Sequence, residues 1–130
     1  MGERLKVNEM LKEINIDFYQ FRGGTFLVFY QLISSNKQLD DAIQFYKGDI
    51  ARTEWNCNRF FIAQNFFSEY FPTIDYTNDD LLIIARAFAS ELSDRLKASF
   101  PEKSFSIEII GDNFIDKEPL ELSVTFQTKI

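Results

Sequence analysis

Apolar residues at helical spacing predict one amphipathic helix at the start of the chain and a longer one after its midpoint. In Glu3–Ile14 they recur at i, i+3, i+4 and i+7, with Glu and Lys on the opposite side. A similar stripe predicts a longer helix at about Asp79–Ala98. Thr77–Asp80, at the start of this helix, fits a capping box. Pro101 is expected to end this second helical segment, because proline cannot continue a helix.

The middle of the chain predicts two further helices and leaves one short segment open. Lys37–Lys47 is expected to be helical and to stop at Gly48. Ile50–Trp55 fits either a short strand or the first turns of the next helix. That next helix is expected to end near Phe71, since a proline follows. The expected N-terminal caps are Asn36 for the first of these helices and Asn56 or Asn58 for the last.

Alternating and β-branched segments predict two hairpins. Ile16–Phe21 and Thr25–Ser34 flank a pair of glycines suited to a tight turn, and Thr25–Ser34 is apolar on both faces, which is typical of a central strand. In Ser104–Ile110 and Leu120–Thr128 apolar residues alternate with polar ones, so one face of each strand is expected to be covered and the other solvated. The chain is therefore predicted to be a single α+β domain over residues 1–130. Its antiparallel sheet would have about four strands, packed against three to four helices.

Residue content excludes several kinds of catalytic and metal site. The chain has no histidine and a single cysteine, so it can form neither a Ser-His-Asp or Cys-His site, nor a zinc site with histidine, nor an internal disulfide. The glycine-rich phosphate-binding motifs are absent as well. Cys57 is expected to be a buried, inert side chain. A pair of carboxylates can act as acid and base without histidine, but the sequence singles out no pair, and it predicts no enzymatic activity and no cofactor.

The charge distribution points to a protein partner. The net charge is −6, and the acidic excess lies after residue 60. Such a surface repels phosphate backbones, so direct nucleic-acid binding is not expected, whereas a basic protein would be attracted. The N-terminus lacks the apolar core of a secretory signal, and no apolar run approaches the roughly 20 residues that span a bilayer. The expected location is the cytoplasm, without membrane attachment.

The aromatic segment Arg59–Phe71 gives the first candidate binding residue. On a helix its apolar side chains would cover about half of the circumference, which is wider than the stripe of an ordinary surface helix. Phe61 would stand among the polar residues on the other side. It is therefore the ring expected to remain partly exposed, where aromatic side chains contribute strongly to binding.

Two groups of acidic residues supply the other candidates. Asp75, Asp79 and Asp80 surround a helix start, where carboxylates are also favoured as structural caps. Asp112, Asp116 and Glu118 fall in a predicted loop at Gly111–Pro119. Their spacing does not follow the EF-hand pattern, so a metal site is not predicted there. All six carboxylates are candidates for contacting a basic partner.

These features together favour a non-enzymatic, acidic, cytoplasmic protein-binding module. The expected partner is a basic protein such as a toxin or a nuclease, inhibited by occlusion, as an immunity protein or a phage-encoded blocker of host defence would act. One alternative is a structural homo-oligomer, in the simplest case a homodimer, that buries the aromatic helix or a free sheet edge. Another is a small-ligand pocket between sheet and aromatic helix, with Tyr30, Tyr46 or Asn56 as polar contacts. A mimic of DNA is less favoured, because −6 is a modest charge for imitating a duplex.

Overall fold

The computed structural model describes residues 6–28, 36–111 and 122–129, and within them the α+β class is confirmed. The α-helices are α1 (Val7–Glu13), α2 (Asn36–Phe45), α3 (Ile50–Cys57) and α4 (Asn78–Ser99). The strands are β1 (Asp17–Phe21), β2 (Gly24–Val28), β3 (Phe60–Phe61), β4 (Phe105–Ile110) and β5 (Ser123–Thr128). A π-helix occupies Ile62–Ser68. Predictions for residues 3–5, 29–34 and 112–121 lie outside the described residues.

The strands lie in two antiparallel sheets instead of one. β1 and β2 form the predicted hairpin, with Tyr19 opposite Phe26 and Gly23 at a φ of +84°, a conformation that glycine adopts without strain. In the second sheet β5 lies between β3 and β4, and Ile107 is opposite Phe126. β2 is covered on both faces as expected. Among the described residues, however, no strand pairs with its second edge, where the Glu54 and Asn58 side chains accept hydrogen bonds from its backbone.

The capping box and the apolar face predicted for the long helix are confirmed in α4. The Thr77 hydroxyl accepts a hydrogen bond from the Asp80 N–H, and the Asp80 carboxylate accepts one from the Thr77 N–H. The helix ends at Ser99, two residues before Pro101. The buried residues of its inner face are Leu81, Ile84, Ala85, Phe88, Leu92 and Leu96.

The open segment after residue 49 is helical. α3 begins at Asp49, whose carboxylate accepts a hydrogen bond from the Arg52 N–H. Neither proposed asparagine caps the helix that follows: Asn58 is the C-terminal cap residue of α3, and the Asn56 amide donates to the Arg52 carbonyl. α2 likewise includes Asn36 as its first helical residue.

The aromatic segment is not one α-helix. Phe60 and Phe61 pair with Val124 and Ser123 of β5, and the seven residues that follow form the π-helix. Adjacent aromatic residues favour strands, and here backbone pairing with β5 outweighs the helical pattern. The π-helix begins where the buried Asn65 side chain accepts a hydrogen bond from the Phe61 N–H.

The core lies between α4 and the second sheet. Phe60 of β3 stacks on Phe88 of α4 with ring centroids 4.3 Å apart, and both rings are fully buried. Phe126 of β5 makes edge-to-face contacts with Phe18 and Phe105. No helix in the described residues is long and apolar enough to cross a membrane.

β5 differs from its prediction, because both of its faces are covered. Val124 and Phe126 face the apolar core, whereas Ser123 and Thr125, predicted to be solvated, are also fully buried. α3 packs on that second face. The Thr125 hydroxyl donates to the Trp55 carbonyl over 2.6 Å, so the hydroxyl has a protein partner in place of water.

Two buried polar side chains of α3, Glu54 and Asn58, join the two sheets. The Glu54 carboxylate accepts hydrogen bonds from the Thr25 N–H at 2.8 Å and from the Thr128 N–H at 2.9 Å. The Asn58 amide donates to the carbonyls of Thr25 and Phe126. The facing edges of β2 and β5 are therefore connected through side chains, which satisfies backbone groups that would otherwise be buried without partners.

Candidate functional site

The structure separates the predicted binding residues into two places. Phe61 lies in β3, whereas Asp75 lies in the loop before α4 and Asp79 and Asp80 lie in its first turn. The other three candidates, Asp112, Asp116 and Glu118, lie outside the described residues, as does Tyr30.

The three acidic residues near the start of α4 have different roles. Asp80 is half-buried and engaged in the capping box, as the structural interpretation of this segment expects. Asp75 and Asp79 are exposed. Across the described ranges, no three Asp, Glu, Cys or His side chains come close enough to hold a metal ion. Of these three acidic residues, Asp75 and Asp79 are thus the two whose carboxylates are exposed.

A cleft of about 530 Å³ lies between the end of the π-helix and the start of α4, and we call it the acidic cleft. It is lined by Phe67, Phe71, Pro72, Ile74 and Tyr76, together with the polar side chains of Ser68 and Asp75. The Tyr76 ring stacks on the buried Phe67 ring, with centroids 4.1 Å apart, and remains 40% exposed. The stacking contact supports one face of the Tyr76 ring and leaves part of the residue exposed.

The chemistry of the acidic cleft suits a long cationic side chain. The stem of a lysine or arginine can lie along the rings of Tyr76 and Phe71, and its charged end can reach the Asp75 carboxylate. A cation over an aromatic face is attracted by the ring, and a planar carboxylate can accept two hydrogen bonds from a guanidinium.

Phe61 has a different environment, which the sequence did not indicate. It is half-buried, as predicted, and the Arg59 guanidinium lies over its ring at 5.0 Å. The same guanidinium lies 5.5 Å from the Trp55 ring and donates to the Ser123 hydroxyl. Arg59 lies between the Asn58 cap of α3 and β3, so no helical spacing in the sequence predicts its contact with Trp55.

Of the polar residues proposed for a small-ligand pocket, Tyr46 and Asn56 lie in the described ranges, and neither lines the cleft beside the π-helix. Asn56 lines a cleft of about 460 Å³ between α3 and β5, together with Asp49, Ala51, Arg52, Trp55 and Gln127. Tyr46 lies under the Arg52 guanidinium, 5.8 Å from it.

Cys57 is half-buried on α3, less covered than the sequence suggests. Burial raises the pKa of the Cys57 thiol, so less of it is thiolate at neutral pH than in a free cysteine. This direction agrees with an unreactive side chain.

Comparisons with known proteins add no assignment to these surfaces. Set against family models, curated proteins and solved structures, the chain shows no significant match to any of them.

Proposed function

We propose that this chain is a non-catalytic, cytoplasmic protein-binding module that inhibits a basic partner protein by occluding its functional surface. Immunity proteins and phage-encoded blockers of host defence are the classes that this proposal resembles. The partner would insert a lysine or arginine side chain into the acidic cleft. The main observation in support is that Tyr76 stacks on Phe67, remains partly exposed and lines the same cleft as Asp75.

Charge and rigidity both support this proposal. The chain carries −6, which favours fast, salt-sensitive association with a basic protein. Tyrosine is enriched among residues that contribute most to binding, and a ring held by stacking loses little conformational freedom on association. Asp79, exposed in the first turn of α4, extends the negative potential beyond the cleft.

The experiment compares proteins captured from the native host by the immobilised wild-type chain and by two variants. In the test variant, Asp75→Lys and Tyr76→Ala remove the carboxylate and the exposed ring. In the control, Asp94→Lys makes the same charge change at an exposed position of α4. Mass spectrometry identifies the captured proteins, and thermal unfolding of each variant shows that it is folded.

The expected result is one basic protein retained by the wild type and by the control, with its dissociation constant raised at least about tenfold by the test variant. Added chain should also inhibit the activity of that protein. The proposal is wrong if the test variant captures the same proteins with equal affinity, or if the chain binds the partner without inhibiting it.

A further inference from the structure

A second surface combines arginines with aromatic rings, and we call it the arginine–aromatic surface. It consists of Tyr46, Arg52, Trp55, Arg59 and Phe61. The Arg52 guanidinium lies 5.8 Å from the centre of the Tyr46 ring. The Arg59 guanidinium lies 5.5 Å from the centre of the Trp55 ring and 5.0 Å from that of the Phe61 ring. All five side chains are at least partly exposed. Tryptophan and arginine are the residue types most enriched where binding energy is concentrated.

Both guanidinium groups lack a charged partner among the described residues. Arg59 Nη2 donates to the Ser123 hydroxyl, whereas Arg59 Nε is buried without a partner, which costs free energy. In the part of the chain that the structure describes, every ion pair involves other residues, so neither Arg52 nor Arg59 is paired with a carboxylate.

A cleft lies beside Arg52. Arg52 and Trp55 line it, with Gln127 of β5 on the other side, and its volume is about 460 Å³. Arg52 lies within α3, whereas Arg59 follows the Asn58 cap and directly precedes β3. Asp49 also lines the cleft, but its carboxylate accepts the hydrogen bond that caps α3.

We propose that the arginine–aromatic surface binds an acidic segment of a protein partner, with carboxylates held by Arg52 and Arg59 and apolar groups packed on Trp55 and Phe61. A guanidinium group that stacks on a ring can still donate two parallel hydrogen bonds from its edge to one carboxylate. A segment that carries two acidic residues can place one carboxylate at each arginine. A nucleic acid fits less well, because its continuous phosphate backbone extends beyond the two arginines over the acidic remainder of a chain with a net charge of −6, whereas a short acidic segment need not.

Selection from a random peptide library displayed on phage tests the proposal. The targets are the wild type, Arg52→Glu, Arg59→Glu, and Arg86→Glu, which makes the same charge change at an exposed position of α4. Arg52→Glu is the decisive variant, because no side-chain hydrogen bond of Arg52 is lost with it among the described residues. Wild type and Arg86→Glu should select peptides with paired Asp or Glu, and the two other variants should not.

Fluorescence then measures the binding directly, since Trp55 is the only tryptophan of the chain. The probes are the selected peptide, the same peptide with its acids changed to amides, and an oligothymidylate. The acidic peptide should shift Trp55 emission saturably, and its dissociation constant should rise at least tenfold in the amide form and in Arg52→Glu.

Three results would overturn this inference. The first is a selected pool without acidic enrichment, or one that Arg52→Glu shares with the wild type. The second is tighter binding of the oligothymidylate than of the peptide. The third is light scattering that shows wild-type chains associating through this surface, with Arg52→Glu monomeric, because the occupant would then be a second copy.

Discussion

The two faces of β5 are covered by two helices in two different ways. On one face, Val124 and Phe126 pack into an apolar core against α4. On the other, Ser123 and Thr125 are equally buried. There the Thr125 hydroxyl donates to the Trp55 carbonyl of α3, and the Ser123 hydroxyl accepts a hydrogen bond from Arg59. Alternation of apolar and polar residues therefore separates the two faces correctly, but it does not show that the polar face meets water. Small hydroxyl side chains fit under a helix when that helix supplies acceptors and donors.

The largest effect is expected on the apolar face. Phe88→Ala removes a fully buried ring that stacks on Phe60, and the cavity left behind should cost about 3–5 kcal/mol of unfolding free energy. Urea unfolding followed by circular dichroism measures the loss. Ile83→Ala, at a position of the same helix that is 48% exposed, should change stability by less than about 0.5 kcal/mol. A loss below about 1 kcal/mol for Phe88→Ala would show that the core rearranges to fill the space.

A smaller loss is expected where α3 joins the two sheets. Glu54→Gln keeps the size of the side chain but replaces one acceptor oxygen with a donor, so at least one of the N–H groups of Thr25 and Thr128 loses its acceptor. The unsatisfied group should cost about 1–3 kcal/mol. Glu108→Gln, the same change at an exposed position of β4, serves as the control in the same urea titration. Equal stability of the two variants would contradict the role assigned to Glu54.

A reciprocal pair of substitutions compares the two faces of β5 at neighbouring positions. Thr125→Val removes the hydroxyl that donates to the Trp55 carbonyl and should cost about 1 kcal/mol. Val124→Thr places a hydroxyl in the apolar core and should cost about 1–3 kcal/mol, because no partner is available for it there. Thermal and urea unfolding of both variants give the two values. If Thr125→Val stabilised the protein, the polar face would be an ordinary apolar contact with a dispensable hydroxyl.

The smallest effect concerns reactivity instead of stability. Because burial raises the pKa of Cys57, iodoacetamide should alkylate the folded chain at pH 8 more slowly than it alkylates a cysteine peptide. The two rates should converge in urea. The folded chain also holds the thiol proton more tightly than the unfolded chain, so stability should fall slightly as the pH rises past the ordinary thiol pKa. Mass spectrometry of the alkylated product follows the reaction, and a folded-state rate equal to that of the peptide would contradict the assigned burial.

Local signals in the sequence are sufficient for some elements. Thr77 and Asp80 have the residue types and spacing of a capping box, and a regular apolar stripe follows them, so α4 could be placed to within a residue or two. The β1–β2 hairpin likewise follows from its glycines. These elements depend on contacts between near neighbours, which a pattern along the chain records.

Other elements depend on distant partners and carry no such signal. A charged residue such as Glu54 is expected to be exposed. Its burial depends on its hydrogen bonds with Thr25 and Thr128, which are 29 and 74 positions away along the chain. Phe60 and Phe61 fit a helix until β5 is available to pair with them.

The candidate sites show the same division. Asp75 and Phe61 could be selected from composition and exposure, and their roles in binding stay predictions. The stacking of Tyr76 on Phe67 depends on the course of the loop that begins at Pro72, and no sequence rule gives that course. Arg52 was missed because Ile50–Trp55 was left open between strand and helix, and Arg59 was missed because its contacts depend on the connection between α3 and β3, which no sequence rule gives.

The central position of β5 has a consequence for how the protein is made in the cell. Its partners β3 and β4 leave the ribosome earlier, and so does Asn58, whose bond to Phe126 spans 68 positions. Until β5 has been synthesised, the second sheet lacks the strand that joins β3 to β4, and the phenylalanines that pack against it stay accessible to chaperones. This sheet should therefore assemble only after β5 has emerged, and stalled translation products that end before residue 123 should be rapid substrates for proteolysis.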